Sequence, residues 1–258
     1  MSWYNIEGLG TIKHDQDPTN DCLYLDAGHG GTDTGCIFYD GTYEKTYVLD
    51  IFKRVEKICK PYFSRVYVTR TTDTSVSLET RTKSMKSLAS KFKSVQAYSI
   101  HCNAYNGISK GAEWLLSIST PKSHSDYIFC TNFLKYYCKE FSLNNRGIVQ
   151  RRGNNGDYYY LHRNTPSNCK VKFIEMFFGD NRDDCKKGQT EAFKDKASFF
   201  LASYILRRYG VILKKPETKP DKLYIVQAGA YTKKENADQQ VKALAKKGFD
   251  AFVKIEKQ

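Results

Sequence analysis

At 258 residues the chain has room for one large domain, or for a domain with an accessory module, and a body of about 200 residues buries a core without disulfide staples. Hydrophobic residues make up 40% of the chain, and no stretch approaches the roughly 18–20 apolar residues of a membrane-crossing helix. The net charge of +13 attracts polyanions, whether nucleic acid, an anionic membrane or wall polymers, and does not choose among them.

The N-terminal MSWYNIEGLGTIKHDQDPTN lacks a basic flank, an apolar segment and a small-residue cleavage site. It does not read as a secretory signal, so synthesis and accumulation in the cytoplasm are expected. The eight cysteines include no CxxC pair, and several lie inside apolar runs. Reduced structural thiols are therefore expected, rather than a disulfide framework or a cysteine metal cluster.

Along the chain, apolar runs predict strands at LYLDAG (23–28), SRVYVTR (64–70), VQAYSIHC (95–102), GAEWLLSI (111–118) and KVKFIEMFF (170–178), with a weaker edge strand at GIVQRRG (147–153). Helical spacing appears between them. Val48, Leu49, Phe52, Val55, Ile58 and Cys59 form one stripe ended by Pro61, and others run near 79–93, 124–141 and 189–208. Strands alternating with helices predict an α/β fold: a mostly parallel twisted sheet with helices on both faces and sites at the carboxyl ends of strands. Residues 1–213 form this expected domain, and the lysine- and proline-rich 214–221 reads as a linker. Residues 222–258 read as one small β-α-β module: LYIVQAGAY, a helix ending at Gly248, and FDAFVKIEKQ.

Four side chains carry the candidate chemistry. His29 sits in DAGHGGTDTG at the end of the first strand, a glycine loop that fits neither dinucleotide nor P-loop spacing. His101, in YSIHCNA, falls at the end of the third. Two histidines on one rim call for a third ligand, and catalytic zinc takes three nitrogen or oxygen donors with a fourth position open. Glu44, at the start of the first helix, is the candidate; a first-turn glutamate favoured by the helix dipole is the bland alternative. Glu175 lies in the apolar run FIEMFF, where a carboxylate is costly unless paired, protonated or beside a cation. That position suits a general base; an outward-facing glutamate on an edge strand is the alternative.

In this order, DAGHGGTDTG, Glu44, VYVTRTTDTSVSLETRT, YSIHCNA and FIEMFFGDN resemble the zinc-dependent N-acetylmuramoyl-L-alanine amidases of spore-forming bacteria and phage endolysins, from about Leu23 to Leu206. The resemblance implies that His29, Glu44 and His101 bind Zn²⁺, that Glu175 is catalytic, and that the chain hydrolyses the amide between N-acetylmuramic acid and L-alanine of peptidoglycan. Arg70 and Arg81 match recurrent arginines and are expected to form ion pairs that hold helix to sheet. Cys102 stands where a small residue is usual and is expected to point away from His101. The polar, aromatic stretch 150–169 lies where the family tends to meet substrate, which makes Arg151 and Arg152 candidate contacts and Tyr158 to Tyr160 a candidate groove wall; Asn103, in YSIHCNA, is a further candidate contact. His124 and His162 read as surface residues.

The tail resembles one half of a SPOR repeat, a peptidoglycan-binding module that usually contains two β-α-β halves. One half leaves an open sheet edge, so pairing in a homodimer or disorder is expected. Peptidoglycan, with anionic wall polymers, is the implied partner, and no nucleic acid is expected. Action on the wall would follow release from the cell, as for an endolysin or a sporulation autolysin. Two rivals remain at this stage. A lysozyme-type glycosidase would use Glu44 and Glu175 as its carboxylate pair but has no use for His29 and His101. A non-catalytic binding protein would need none of the four.

Overall fold

The computed structural model describes residues 20–63, 65–213, 228–249 and 251–253. Its strands are β1 (Asp21–Ala27), β2 (Val66–Val68), β3 (Ser94–Asn103), β4 (Ala112–Leu115), β5 (Asn145–Val149), β6 (Arg152–Gly153), β7 (Gly156–Asp157) and β8 (Cys169–Phe178). Its helices are α1 (Glu44–Cys59), α2 (Leu78–Ala89), α3 (Ser125–Phe141), α4 (Tyr160–Asn164), α5 (Arg182–Gly188), α6 (Glu191–Arg207) and α7 (Lys234–Lys246). Six strands form one sheet in the order β2-β1-β3-β8-β4-β5. Every pairing is parallel except β4 with β8. Since β4 and β5 run against the rest, their amino ends share a rim with the carboxyl ends of β1, β3 and β8.

Both faces of the sheet are covered, as the alternation predicts. The larger core packs Leu23, Leu25, Ile100, Trp114 and Ile174 of the sheet against α1, α3 and α6. The stripe read from the sequence is the one that faces it: Val48, Phe52, Val55 and Cys59 are buried. Burying each such side chain contributes about 1.5–3 kcal/mol. The smaller core places Cys22, Tyr24, Val95, Val171 and Phe173 under Met85 and Leu88 of α2 and Leu161 of α4. All eight cysteines are free thiols, and seven of them are buried.

One buried charge cluster ties the larger core together. Asp126 of α3 meets the Arg208 guanidinium at 2.6 Å and the Lys172 ammonium at 3.3 Å. Burial works against the Asp126 charge, but these two cations outweigh it and hold the carboxyl well below its usual range.

The elements depart from the predicted ones for local reasons. Helix α2 stops at Ala89 rather than 93, because the Asn168 side-chain amide donates to the carbonyls of Ala89 and Phe92. The helix expected over 189–208 is preceded by α5. Asn181 accepts from the backbone N–H groups of Asp183 and Asp184 to start α5, and Thr190 restarts the chain as α6. The weak strand at 147–153 begins earlier, as β5 at the sheet edge. It ends at Val149, after which β6 and β7 pair as a hairpin. Residue 64 of the predicted second strand lies outside the described residues.

The chain divides into two compact units, Met1–Lys215 and Pro216–Gln258. In the second, α7 occupies the predicted helix, and none of its residues is buried. The strands expected at 223–231 and 249–258 fall largely outside the described residues. The linker 214–221 falls outside them as well. No helix among the described residues is long and apolar enough to cross a membrane.

Candidate metal centre

His29, Glu44 and His101 converge at the carboxyl rim. Nε2 of His29 lies 3.1 Å from Oε1 of Glu44, Nδ1 of His101 lies 3.0 Å from the same oxygen, and the two nitrogens are 3.1 Å apart. Three donors thus form a nearly equilateral triangle. Tetrahedral zinc with ligands at about 2.0–2.1 Å sets its donors roughly 3.3 Å apart, so the triangle has the size the ion needs and leaves one vertex open.

Each donor is held by its surroundings. His29 takes a left-handed backbone (φ 57), a conformation costly for a residue with a Cβ. Its Nδ1 faces Asp33 Oδ1 at 2.9 Å, which fixes the tautomer that leaves Nε2 as a ligand. Glu44 opens α1 and uses both oxygens: Oε1 accepts from the Cys102 N–H and Oε2 from the Cys36 N–H, each at 2.9 Å. Burial opposes its charge, but the imidazoles of His101 and His29 outweigh burial and hold it well below the usual carboxylate range. With both oxygens engaged, Glu44 is poorly suited to serve as a glycosidase acid. Glycine is required twice beside the triad. A Cβ on Gly28 would fall 2.3 Å from the His101 ring, and one on Gly35 would fall 2.6 Å from Glu44 Oε2.

Glu175 stands beside them. It lies opposite His101 in the β3–β8 register, and β8 is a central strand, so the edge-strand alternative falls away. Its Oε2 is shielded and accepts no hydrogen bond among the described residues. Burial, then the charges of Glu44 and Glu113, push its carboxyl well above the ordinary range. A cavity of about 370 Å³ opens beside the two imidazoles, with Val76, Leu78, Leu161 and Phe173 among its walls. The four predicted residues are therefore one cluster, as the sequence implied.

Other expectations divide. Arg81 forms the expected ion pair, with Asp26, and also donates to the carbonyls of Ala27 and His29. Arg70 does not. Its guanidinium donates to the carbonyls of Ala27, Gly28, Thr72 and Lys45, so it clamps the glycine loop without a carboxylate. Cys102 is buried in the larger core, away from the triad, as alternation requires.

Among the candidate contacts, Asn103 is committed to the protein: Nδ2 donates to Glu113 and Oδ1 accepts from the Ala104 N–H. Arg151 lies over the Tyr158 ring at 3.8 Å, and Arg152 is exposed on the hairpin. Tyr159 packs on Phe173, which in turn meets the His101 ring. Two residues went unnoticed in the sequence. Asp33, four residues after His29, carries no signal beyond its place in the glycine loop. Glu113, flanked by Ala112 and Trp114, shows the same charge in an apolar run that singled out Glu175.

His124 caps α3 by accepting from the Asp126 N–H. His162 is not a surface residue, for its side chain is only 1% exposed. The ring packs against Phe173 and donates from Nε2 to the Val171 carbonyl at 3.2 Å. Burial keeps it neutral and pushes its pKa down to about 4. The unfolded chain, titrating near 6.5, therefore binds a proton that the native state refuses between those limits. This contribution is complete above about pH 6.5 and is lost as the pH falls toward 4. Urea unfolding is expected to show about 2 kcal/mol of this loss between pH 7.5 and 5. His162→Gln should flatten that part of the slope; a variant with an undiminished slope would assign the acid sensitivity elsewhere.

An α/β sheet with a metal-ready triad and a neighbouring carboxylate at its rim defines a hydrolase-like scaffold. The sequence profile of the N-acetylmuramoyl-L-alanine amidase family matches residues 23–206, and the chain belongs to that family. A SPOR domain profile matches residues 220–258. The chain is 27% identical over 233 residues to N-acetylmuramoyl-L-alanine amidase CwlM of Bacillus licheniformis, covering 90% of this chain and 83% of that one. Its fold resembles the catalytic domain of CwlV, an N-acetylmuramoyl-L-alanine amidase from Bacillus (Paenibacillus) polymyxa, at 28% identity and a TM-score of 0.61, covering 74% and 99% of the two chains. Cwp6 from Clostridium difficile aligns at 30% identity and a TM-score of 0.64; the match covers 72% of this chain and 29% of the longer Cwp6.

Proposed function

We propose that the chain is a zinc-dependent enzyme that cleaves the amide between the lactyl group of N-acetylmuramic acid and L-alanine, with His29, Glu44 and His101 as ligands and Glu175 as base. The single observation that carries the reading is the triangle of donors, all within 3.1 Å of one another, with Glu175 next to it in register. When bound, zinc supplies a Lewis acid that polarises the scissile carbonyl and acidifies water at neutral pH.

The protein's own groups do the rest. Asp33 and the two backbone N–H groups on Glu44 hold the ligands so that nothing reorganises during turnover. Glu175 takes the proton of the attacking water and returns it to the leaving amine of L-alanine. The cavity beside the imidazoles receives the substrate against Leu78, Leu161 and Phe173. The exposed guanidiniums of Arg151 and Arg152 are offered to anionic groups of the wall. The SPOR match supports attachment of the C-terminal unit to peptidoglycan, with pairing of two copies through it as the proposed arrangement.

Digestion of purified wall tests the reading. New alanine amino groups, without new reducing sugar, are expected, and a chelator should abolish their release until zinc is restored. New reducing ends, or full activity in chelator, would replace this assignment with a glycosidase or a metal-independent enzyme.

A further inference from the structure

The catalytic row does not stop at Glu175. His101 on β3 lies opposite Glu175 on β8, Glu175 opposite Glu113 on β4, and β4 pairs with β5, where Arg146 donates from Nε to Glu113 Oε2 at 2.8 Å. Residues opposite one another share a face of the sheet. The row therefore crosses the rim as histidine, glutamate, glutamate and arginine.

Glu113 is largely buried, and both its oxygens are spent: Oε1 accepts from the Asn103 amide at 2.7 Å and Oε2 from Arg146. Arg146 is held on two sides. Besides the Glu113 bond, its guanidinium lies 4.7 Å above the Phe178 ring. Phe178 reaches this face through an irregularity in which β8 spends the three steps from Glu175 to Phe178 against the two from His101 to Asn103. Held at Nε and by the ring, Arg146 keeps Nη1 and Nη2 without a partner among the described residues, and its side chain is 39% exposed. A fixed guanidinium with a free edge is the geometry that takes a carboxylate through two parallel hydrogen bonds.

We propose that Arg146 is a specificity-determining residue that binds a carboxylate on the peptide of the substrate, positioned by Glu113 and Asn103. The inference rests on the amidase reading above. Three strand spacings of about 4.8 Å separate the His101 and Arg146 backbones. An extended peptide advancing about 3.5 Å per residue covers that span in about four residues, and fewer once the arginine reaches inward. The stem beyond L-alanine carries its free carboxylates within that distance. Arg151, stacked on Tyr158, and Arg152 on the hairpin stand outside this row.

The test compares a soluble muramoyl tetrapeptide bearing free peptide carboxylates with the same compound fully converted to carboxamides. The zinc-loaded full-length protein is expected to favour the carboxylate form by about tenfold to a hundredfold, mainly in KM. Arg146→Met, which keeps an apolar stem over Phe178, should lose that preference, and Arg146→Lys should keep only part of it. Melting temperatures close to that of the parent chain would show that the variants are folded. A parent chain that cleaves both compounds equally well, or a preference that survives in a folded Arg146→Met, overturns the proposal for Arg146 alone. A parent chain that cleaves neither compound overturns the amidase reading beneath it.

Discussion

Glu175→Gln is expected to lower kcat on wall fragments by about a hundredfold to ten-thousandfold while leaving one zinc per chain. The substitution keeps the size and shape of the side chain, so the β8 strand and its pairing with β3 should be undisturbed. It removes only the capacity to accept a proton. Glu175 suits that task because its Oε2 has no competing hydrogen bond among the described residues. Since Glu175 is not a corner of the donor triangle, metal content separates loss of the base from loss of the site. The measurement is kcat together with zinc per chain by elemental analysis. A variant that retains zinc and turns over at the parent rate would remove Glu175 from the mechanism.

Most of the sheet was legible because its strands are buried on both sides and read as unbroken apolar runs. The same property made Glu175 conspicuous, since a charge in such a run has to be compensated. His29 and His101 were legible as a pair, each falling where an apolar run gives way to small or polar residues. Three things were not. The reversed direction of β4 leaves no trace in GAEWLLSI, yet it brings the amino end of β4, with Glu113, to the rim that holds His101 and Glu175. The irregularity between Glu175 and Phe178 depends on pairing with β3, which one strand's sequence does not encode. His162 read as a polar residue in a polar stretch, but α4 turns its ring under Phe173, where tertiary packing overrides the local pattern. Arg70 shows a related limit. The sequence marked an arginine at a strand end but not its partners, which are backbone carbonyls rather than carboxylates.

Loss of a ligand should exceed the loss of the base, because it removes both the Lewis acid and the geometry that Glu175 acts upon. His101→Ala is expected to reduce wall cleavage to background and to abolish the rise in melting temperature that zinc is expected to give the parent chain. That rise follows from linkage: an ion that binds only the folded state adds about 2.7 kcal/mol at a hundred times its dissociation constant. The three donors sit within 3.1 Å of one another before any ion is considered, so folding has already met the cost of gathering them, including the left-handed backbone at His29. Asp33→Ala provides an internal gradation. It spares all three donors and releases only the imidazole of His29, so zinc affinity should fall by about tenfold to a hundredfold while turnover at saturating zinc largely survives. Calorimetric zinc titration of the parent and both variants reads these differences without recourse to activity. If His101→Ala bound zinc as tightly as the parent, the ion would belong elsewhere and the triangle would be only a hydrogen-bonded cluster.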